Sequence, residues 1–263
     1  MPDPDTNPGD AVIPRPAASV LLVRDGPLGI EVFMATRHAK SSFMPGALVF
    51  PGGSVDEDDS HPSLAPPEAW EDASFKVAAI RETFEEAGIL LARAAGAVVG
   101  PDRLMVLQAA WRQPLCRGEA AFHDMMAAEE LVPALDLMAP FAHWITPNVR
   151  SKRFDTRFYI TRAPDGQIGA HDERELIDSR WVRPEDALAE RDEGKVQLVF
   201  ATRANLGRLA ESRSVDEALA AAGTRRIVAV QPELFDAPRG KSLRIPAEAG
   251  YALTEILARD SGL

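Results

Sequence analysis

The sequence predicts a layered domain of the α/β (α+β) class, and three observations carry that expectation. Short apolar, β-prone runs bounded by turn residues occur in both halves of the chain. An amphipathic helical stretch lies between the two sets, and more helical stretches follow the second. With 263 residues, 46% of them hydrophobic and 26% charged, the chain has enough apolar material for one substantial core.

Residues 17–23 form the first strand candidate, ended by the turn Asp25-Gly26-Pro27. Residues 30–36 form the second, and residues 47–50 the third, broken by Pro51-Gly52-Gly53. Residues 54–73 read as an exposed acidic loop containing Asp56-Glu57-Asp58-Asp59. Ser74 is placed to cap a helix, and Val77, Ile80, Phe84, Ala87 and Leu91 give that helix its buried stripe. Gly88 falls inside the pattern, where glycine is costly, and signals close packing or a bend.

Residues 101–138 have helical spacing, in Leu104, Val106 and Leu107 and then Met125, Met126, Leu131, Leu135 and Leu137. They show no strand signal and read as a helical insertion. Beyond them come strand candidates at 142–146, 156–161 and 179–182, and helices at 184–191 and 198–210. Two short strands, 226–230 and 242–245, stand in an irregular tail. Residues 1–16, rich in Pro and Asp, read as a disordered N-terminal tail, which leaves 17–263 as a single domain.

The net charge of -11 excludes a general nucleic-acid binder, which needs a basic face to meet phosphates. A small phosphorylated substrate remains open, because a metal ion supplies positive charge locally. One cysteine, Cys116, rules out a disulfide framework and fits a reducing cytoplasm. Five scattered histidines give no zinc spacing. No apolar run is long enough for a membrane span, and the first residues lack the apolar core of a secretory signal.

The richest stretch is Arg81-Glu82-Thr83-Phe84-Glu85-Glu86-Ala87-Gly88-Ile89. Three carboxylates within five helical residues repel by roughly 0.2–0.5 kcal/mol per neighbouring pair, and a divalent cation turns that repulsion into binding. Their positions fall mostly off the apolar stripe. Hard cations such as Mg2+ take oxygen ligands, and two or three carboxylates suffice when a phosphate completes the shell. Arg81, four residues before Glu85, is placed to hold that carboxylate. The competing reading is a solvated helix face. The glycine pair upstream and the glycine just after the carboxylates favour the metal.

This run resembles the signature of the Nudix hydrolases, G-x5-E-x7-R-E-U-x-E-E-x-G-U, with U a bulky aliphatic residue. Arg81, Glu82, Glu85, Glu86, Gly88 and Ile89 fall on its second half without a gap, Gly53 matches its first glycine, and Thr83 departs from one U position. Between Gly53 and Arg81 stand 27 residues where the signature has 13, so 14 are extra. Counting back from Arg81 puts Ala73 at the first Glu position, beside Glu71 and Asp72, and leaves that position unassigned.

The resemblance implies an α/β/α sandwich with a mixed sheet and a Mg2+ or Mn2+ cofactor. Its implied ligands are Glu82, Glu85, Glu86 and the backbone carbonyl of Gly52, and its reaction is attack of water on a diphosphate. Glu85, held by Arg81, or a downstream carboxylate is the implied base. Glu175 is the downstream candidate, with a strand-edge salt bridge as its other reading.

Three further segments are similar to the Nudix branch that contains the peroxisomal coenzyme A diphosphatases, a likeness running over residues 16–209. They are Arg37-His38 through Phe50-Pro51-Gly52-Gly53, His143-Trp144-Ile145-Thr146-Pro147, and Arg153-Phe154-Asp155-Thr156-Arg157-Phe158. That likeness implies coenzyme A or acyl-CoA as the small-molecule partner, cleaved to 3',5'-ADP and (acyl-)4'-phosphopantetheine. ADP-ribose, a dinucleotide or another nucleoside diphosphate derivative is the second reading, and a catalytically silent ligand-binding domain the third.

Arg37, Arg153 and Arg157 are candidates for the substrate phosphates or, equally, for strand-edge ion pairs. Trp144 and Phe154 are candidates to stack on an adenine or to pack in the core. No membrane partner is expected, and a homodimer is left open. The final Ser261-Gly262-Leu263 is not the S-K-L address, so a cytoplasmic enzyme is expected.

Overall fold

The structure is a computed structural model that describes residues 12–38, 45–65, 70–170 and 176–262. It begins with β1 (Arg15–Gly26), β2 (Gly29–Arg37), β3 (Leu48–Val49) and β4 (Gly52–Ser54). Helix α1 (Trp70–Glu82) follows, then β5 (Ala92–Ala94) and β6 (Ala97–Val98), then α2 (Pro101–Leu107), α3 (Gln113–Cys116) and α4 (Phe122–Ala128). Strands β7 (Leu131–Pro133), β8 (Ala139–Ile145), β9 (Phe154–Arg162) and β10 (Leu176–Val182) lead into α5 (Pro184–Asp192), α6 (Phe200–Leu209) and α7 (Val215–Thr224). The order closes with β11 (Ala229–Val230), β12 (Glu233–Ala237), β13 (Gly240–Arg244) and β14 (Glu255–Leu257).

Eight strands form one mixed sheet in the order β10-β2-β1-β9-β8-β11, with β3 added to β2 and β4 to β1. β1 runs parallel to β9, and β11 parallel to β8. Side chains alternate across the sheet, and β1 is apolar on both faces because both are covered. Leu21 and Val23 face a core shared with α5, α6, α7 and the C-terminal tail. Ala18, Val20 and Leu22 face a second core built by α1 and the segment of α2 to α4. The result is the α/β/α sandwich that the sequence led us to expect.

Several local expectations change. Helix α1 begins at Trp70, so Ser74 lies inside it and caps nothing. At Thr83 the helix widens into a π-helical turn, Thr83–Ala87, which ends at Gly88 in the left-handed conformation (φ 67°). Gly88 is therefore the helix stop, where a side chain is strained. The insertion is not wholly helical: Leu131 belongs to β7, which pairs with β5 in a small three-stranded sheet with β6.

Arg15 and Pro16 are strand residues, while residues 1–11 of the expected tail lie outside the described part. The irregular tail contains a second three-stranded sheet, β12-β13-β14, and its Leu243, Ile245, Ala249, Tyr251 and Ile256 enter the core. Helix α7, unread in the sequence, packs on β8 and β9. Its signals were Ser214, whose hydroxyl accepts from the Glu217 N–H, and acids in the first turn.

Candidate active site

The π-helical turn stands over the glycine strand β4. The Pro51 carbonyl accepts from the Val20 N–H and from the Ser19 hydroxyl, both at 2.9 Å, which draws the Pro51-Gly52-Gly53 bend against β1. At Gly52 only glycine fits. Gly52 has φ 152°, and a Cβ there would lie 2.3 Å from the Ala18 carbonyl oxygen. A Cβ on Gly53 would lie 2.3 Å from Glu82 Oε1, so the missing side chain is what lets the carboxylate approach the strand.

Arg81 organises the acidic side. Buried among carboxylates, its guanidinium donates from Nε and Nη2 to the two Asp59 oxygens, each at 2.9 Å. It also donates from Nη2 to the Ser54 carbonyl at 3.0 Å and from Nη1 to Glu82 Oε1 at 2.9 Å, with Glu85 Oε1 at 3.5 Å. Burial works against its charge. The Asp59 hydrogen bonds and the surrounding Glu82, Asp59 and Glu85 charges outweigh that, and its pKa is driven upward. Glu85 moves up from the ordinary carboxylate range because it is desolvated. Arg81 opposes that rise, and the Asp59 and Asp56 charges add to it.

The structure corrects the exposed acidic loop here. Residues Glu57–Ser60 form a 3-10 turn, and Asp59 is 2% exposed. Asp59 also accepts from the Asp56 N–H at 2.8 Å, which ties the turn to its own start. Counted forward from Gly53, Asp59 is the sixth residue, the place of the signature's first Glu. The extra residues therefore lie between Asp59 and Arg81. That forward count was the available signal, and counting backward from Arg81 missed it.

The three glutamates are not equivalent. Glu82 and Glu85 line a cleft of about 450 Å³ together with Gly52, Gly53, Asp56, Arg81, Arg37 and Lys152. Glu86 is turned inward, 4% exposed, and accepts the Gly52 N–H at 2.8 Å. A straight 3.6-residue spacing places all three near one face, whereas i→i+5 bonding in the turn redirects Glu86 beneath the strand. Arg112, unread in the sequence, closes the far end of this turn from the insertion. It donates to the carbonyls of Glu85 (2.9 Å) and Glu86 (2.8 Å), groups a helix end leaves without partners, and to the carbonyl of Ala170 (2.7 Å) in the loop after β9.

The candidate substrate arginines divide. Arg37 lines the cleft. Arg153 does not: it is 5% exposed and donates to the Thr146 and Val12 carbonyls and to Gln231, clamping the end of β8 between two distant segments. Arg157 is paired with Asp72 of α1 and lies 4.0 Å over the Phe75 ring, so the strand-to-helix ion pair is the reading the structure shows. Lys152, not singled out earlier, stands in the cleft. Glu175 lies outside the described residues. Trp144 and Phe154 meet in an apolar pocket beside the cleft.

The donor set suits a hard cation, since every candidate ligand is oxygen. Among the described residues no three His, Cys, Asp or Glu side chains form a ready-made cage. Mg2+ takes one or two carboxylates and completes its shell from water and substrate phosphate. The residues fit such an ion.

A mixed sheet between helical layers, with an R-E-x-x-E-E-x-G turn over a glycine strand, defines the Nudix class of fold. Residues 63–209, more than half of the chain, match the family described as the NUDT19 Nudix domain, and the chain belongs to that family. It is 26% identical over 237 residues to acyl-coenzyme A diphosphatase NUDT19 of Xenopus laevis, covering 71% of this chain and 61% of that protein. It is 30% identical over 237 residues to the protein of the same name from Gallus gallus, covering 66% of this chain and 62% of that protein. The chain thus spans about three fifths of the length of these curated relatives. The crystal structure of a Nudix hydrolase from Alicyclobacillus acidocaldarius is similar with a TM-score of 0.70 at 27% identity, covering 82% of this chain and 100% of that one.

Proposed function

We propose that this protein hydrolyses the diphosphate bridge of coenzyme A or acyl-CoA, releasing 3',5'-ADP and (acyl-)4'-phosphopantetheine with the help of Mg2+ or Mn2+. The observation that carries the reading is the cleft itself. Three carboxylates, Asp56, Glu82 and Glu85, share it with three cationic side chains, Arg37, Arg81 and Lys152, in a chain of the NUDT19 Nudix domain family. Relatives named acyl-coenzyme A diphosphatase support the choice of substrate. The cytoplasm is the compartment proposed, on the single unbridged cysteine.

In this reading Glu82 and Glu85 would hold the cation, with Glu86 and the Gly52 carbonyl as further candidate ligands. The bound ion supplies positive charge to the phosphate oxygens and acidifies water. Arg37 and Lys152 meet the remaining phosphate charge. A water oxygen bonds to phosphorus as the bridging P–O bond breaks, and the bridging oxygen leaves on the other phosphate. Glu85, desolvated and steered by Arg81, accepts the water's proton.

A panel of coenzyme A, acyl-CoAs, ADP-ribose and dinucleotides, run with and without chelator and with products identified, tests this. Release of 3',5'-ADP from coenzyme A, abolished by chelation and restored by Mg2+ or Mn2+, is the expected result. Preferred release of AMP from ADP-ribose moves the assignment to the second substrate class. No turnover of any member at saturating metal ends the enzymatic reading.

A further inference from the structure

A second cavity, about 130 Å³, adjoins the carboxylate cleft and shares Phe154, Thr156, Phe158, Val199 and Thr202 with it. Its remaining lining comes from the end of β8, the start of α6 and Pro232 of the tail, and no lining residue is charged. The Trp144 wall is fixed. Its indole N–H donates to Tyr251 Oη at 2.9 Å, and that hydroxyl donates to Asn205 Oδ1 at 2.7 Å. Phe200 meets the indole edge-on at 5.4 Å. A pocket whose wall is locked before binding loses little freedom when filled.

Resting on the coenzyme A reading above, we infer that this pocket seats the branched dimethyl carbon of the pantetheine arm and so selects coenzyme A by the apolar group nearest its diphosphate. Three observations single out that group. The pocket shares five lining residues with the cleft that holds the carboxylates, so a group joined to a diphosphate bound in the cleft can reach it. On the pantetheine side, one CH2 separates the phosphate ester oxygen from a quaternary carbon bearing two methyls. On the nucleoside side the near neighbour is a polar sugar.

Size and polarity agree. An apolar cavity of about 150 Å³ accommodates benzene, so this one suits a compact branched group and is too small for a long acyl chain. Threonine hydroxyls are the polar side-chain groups in the lining, and Thr146 Oγ1 already accepts from the Phe154 N–H at 3.0 Å. A purine edge placed there would leave buried donors and acceptors unpaired.

Two experiments test the inference. The first uses the unaltered protein with a coenzyme A analogue in which both methyls are replaced by hydrogen. The expected loss is on the order of tenfold or more in kcat/KM, the discrimination a hydrophobic pocket exercises over missing methyl or methylene groups. Equal kcat/KM for analogue and coenzyme A overturns the assignment. The second fills the pocket with Ala201→Leu. The KM for coenzyme A and for every acyl-CoA is expected to rise by one common factor, and the ratio of coenzyme A to ADP-ribose turnover to fall.

A rise that grows with acyl length reassigns the pocket to the acyl group, and an equal rise for ADP-ribose reassigns it to the nucleoside; either overturns the inference. Unaltered protein that leaves coenzyme A intact overturns the substrate reading and this inference with it, and is visible before any variant is made.

Discussion

The acidic wall of the cleft and the apolar wall of the pocket beside it are built on opposite plans. The acidic wall draws its carboxylates from one helical turn, braced by the short turn 57–60 and by Arg112 from the insertion. The apolar wall collects Trp144 from β8, Phe158 from β9, Phe200 from α6 and Pro232 from the link before β12, held by packing and by Tyr251. One wall is strong in charge and local in sequence; the other is weak in charge and assembled over long range. In the proposed reading the difference teaches that chemistry and selectivity are separable, because the charged groups of the cleft and the residues that shape the side pocket come from different parts of the fold.

The largest break of that contrast is expected at the acidic wall. Glu86→Gln keeps an acceptor for the Gly52 N–H while removing charge, so turnover is expected to fall about 100-fold or more with little change in melting temperature. Steady-state kinetics at saturating Mg2+, with a thermal melt alongside, measure both. Turnover near that of the unaltered protein removes Glu86 from the site.

Next in size is Asp59→Ala, which leaves the buried Arg81 without its two-pronged partner. Breaking a buried pair costs on the order of 3–5 kcal/mol, read as a lower midpoint in denaturant unfolding. Asp59→Asn, which keeps one acceptor, is expected to lose less. Equal losses in the two variants contradict the paired geometry.

Arg112→Met tests whether the insertion supports the carboxylate turn. Three carbonyls lose a charged donor, so a loss of about 1.5–3 kcal/mol and a reduced kcat are expected. Stability loss with kcat unchanged confines Arg112 to a structural role.

The smallest effect sharpens the other wall. Tyr251→Phe strips the hydroxyl between Trp144 and Asn205 and is expected to cost about 1–2 kcal/mol. Its kinetic mark is a higher KM for coenzyme A at nearly constant kcat. A fall in kcat alone denies the separation of the two walls.

Much of the acidic wall was legible, because residues three or four apart on a helix are neighbours whatever else the chain does. Glu82, Glu85 and Arg81 needed only that rule. Asp59 was hidden because its contact joins residues 22 positions apart, Asp59 in the turn 57–60 and Arg81 in α1, and sequence spacing alone does not bring them together. Arg153 and Arg157 looked equivalent in sequence, alternating with other residues toward one strand. The fold gave one to backbone carbonyls and the other to Asp72. The tail read as irregular because the burial of Tyr251 and Ala249 is set by long-range contacts, the turn after β13 meeting Asn205 and Arg208 of α6.

The sequence by itself determined the layered fold class, the carboxylate turn, the glycine bend facing it and the oxygen-only donor set. These follow from local geometry, from backbone space at Gly52 and Gly53, and from side-chain chemistry, none of which needs distant partners. Only the tertiary structure decided that Glu86 turns inward, that Asp59 anchors Arg81, that Arg112 closes the turn, and that the C-terminal tail completes an apolar pocket. Each of those depends on contacts between residues far apart in the chain, where direction and burial are set by packing rather than by spacing.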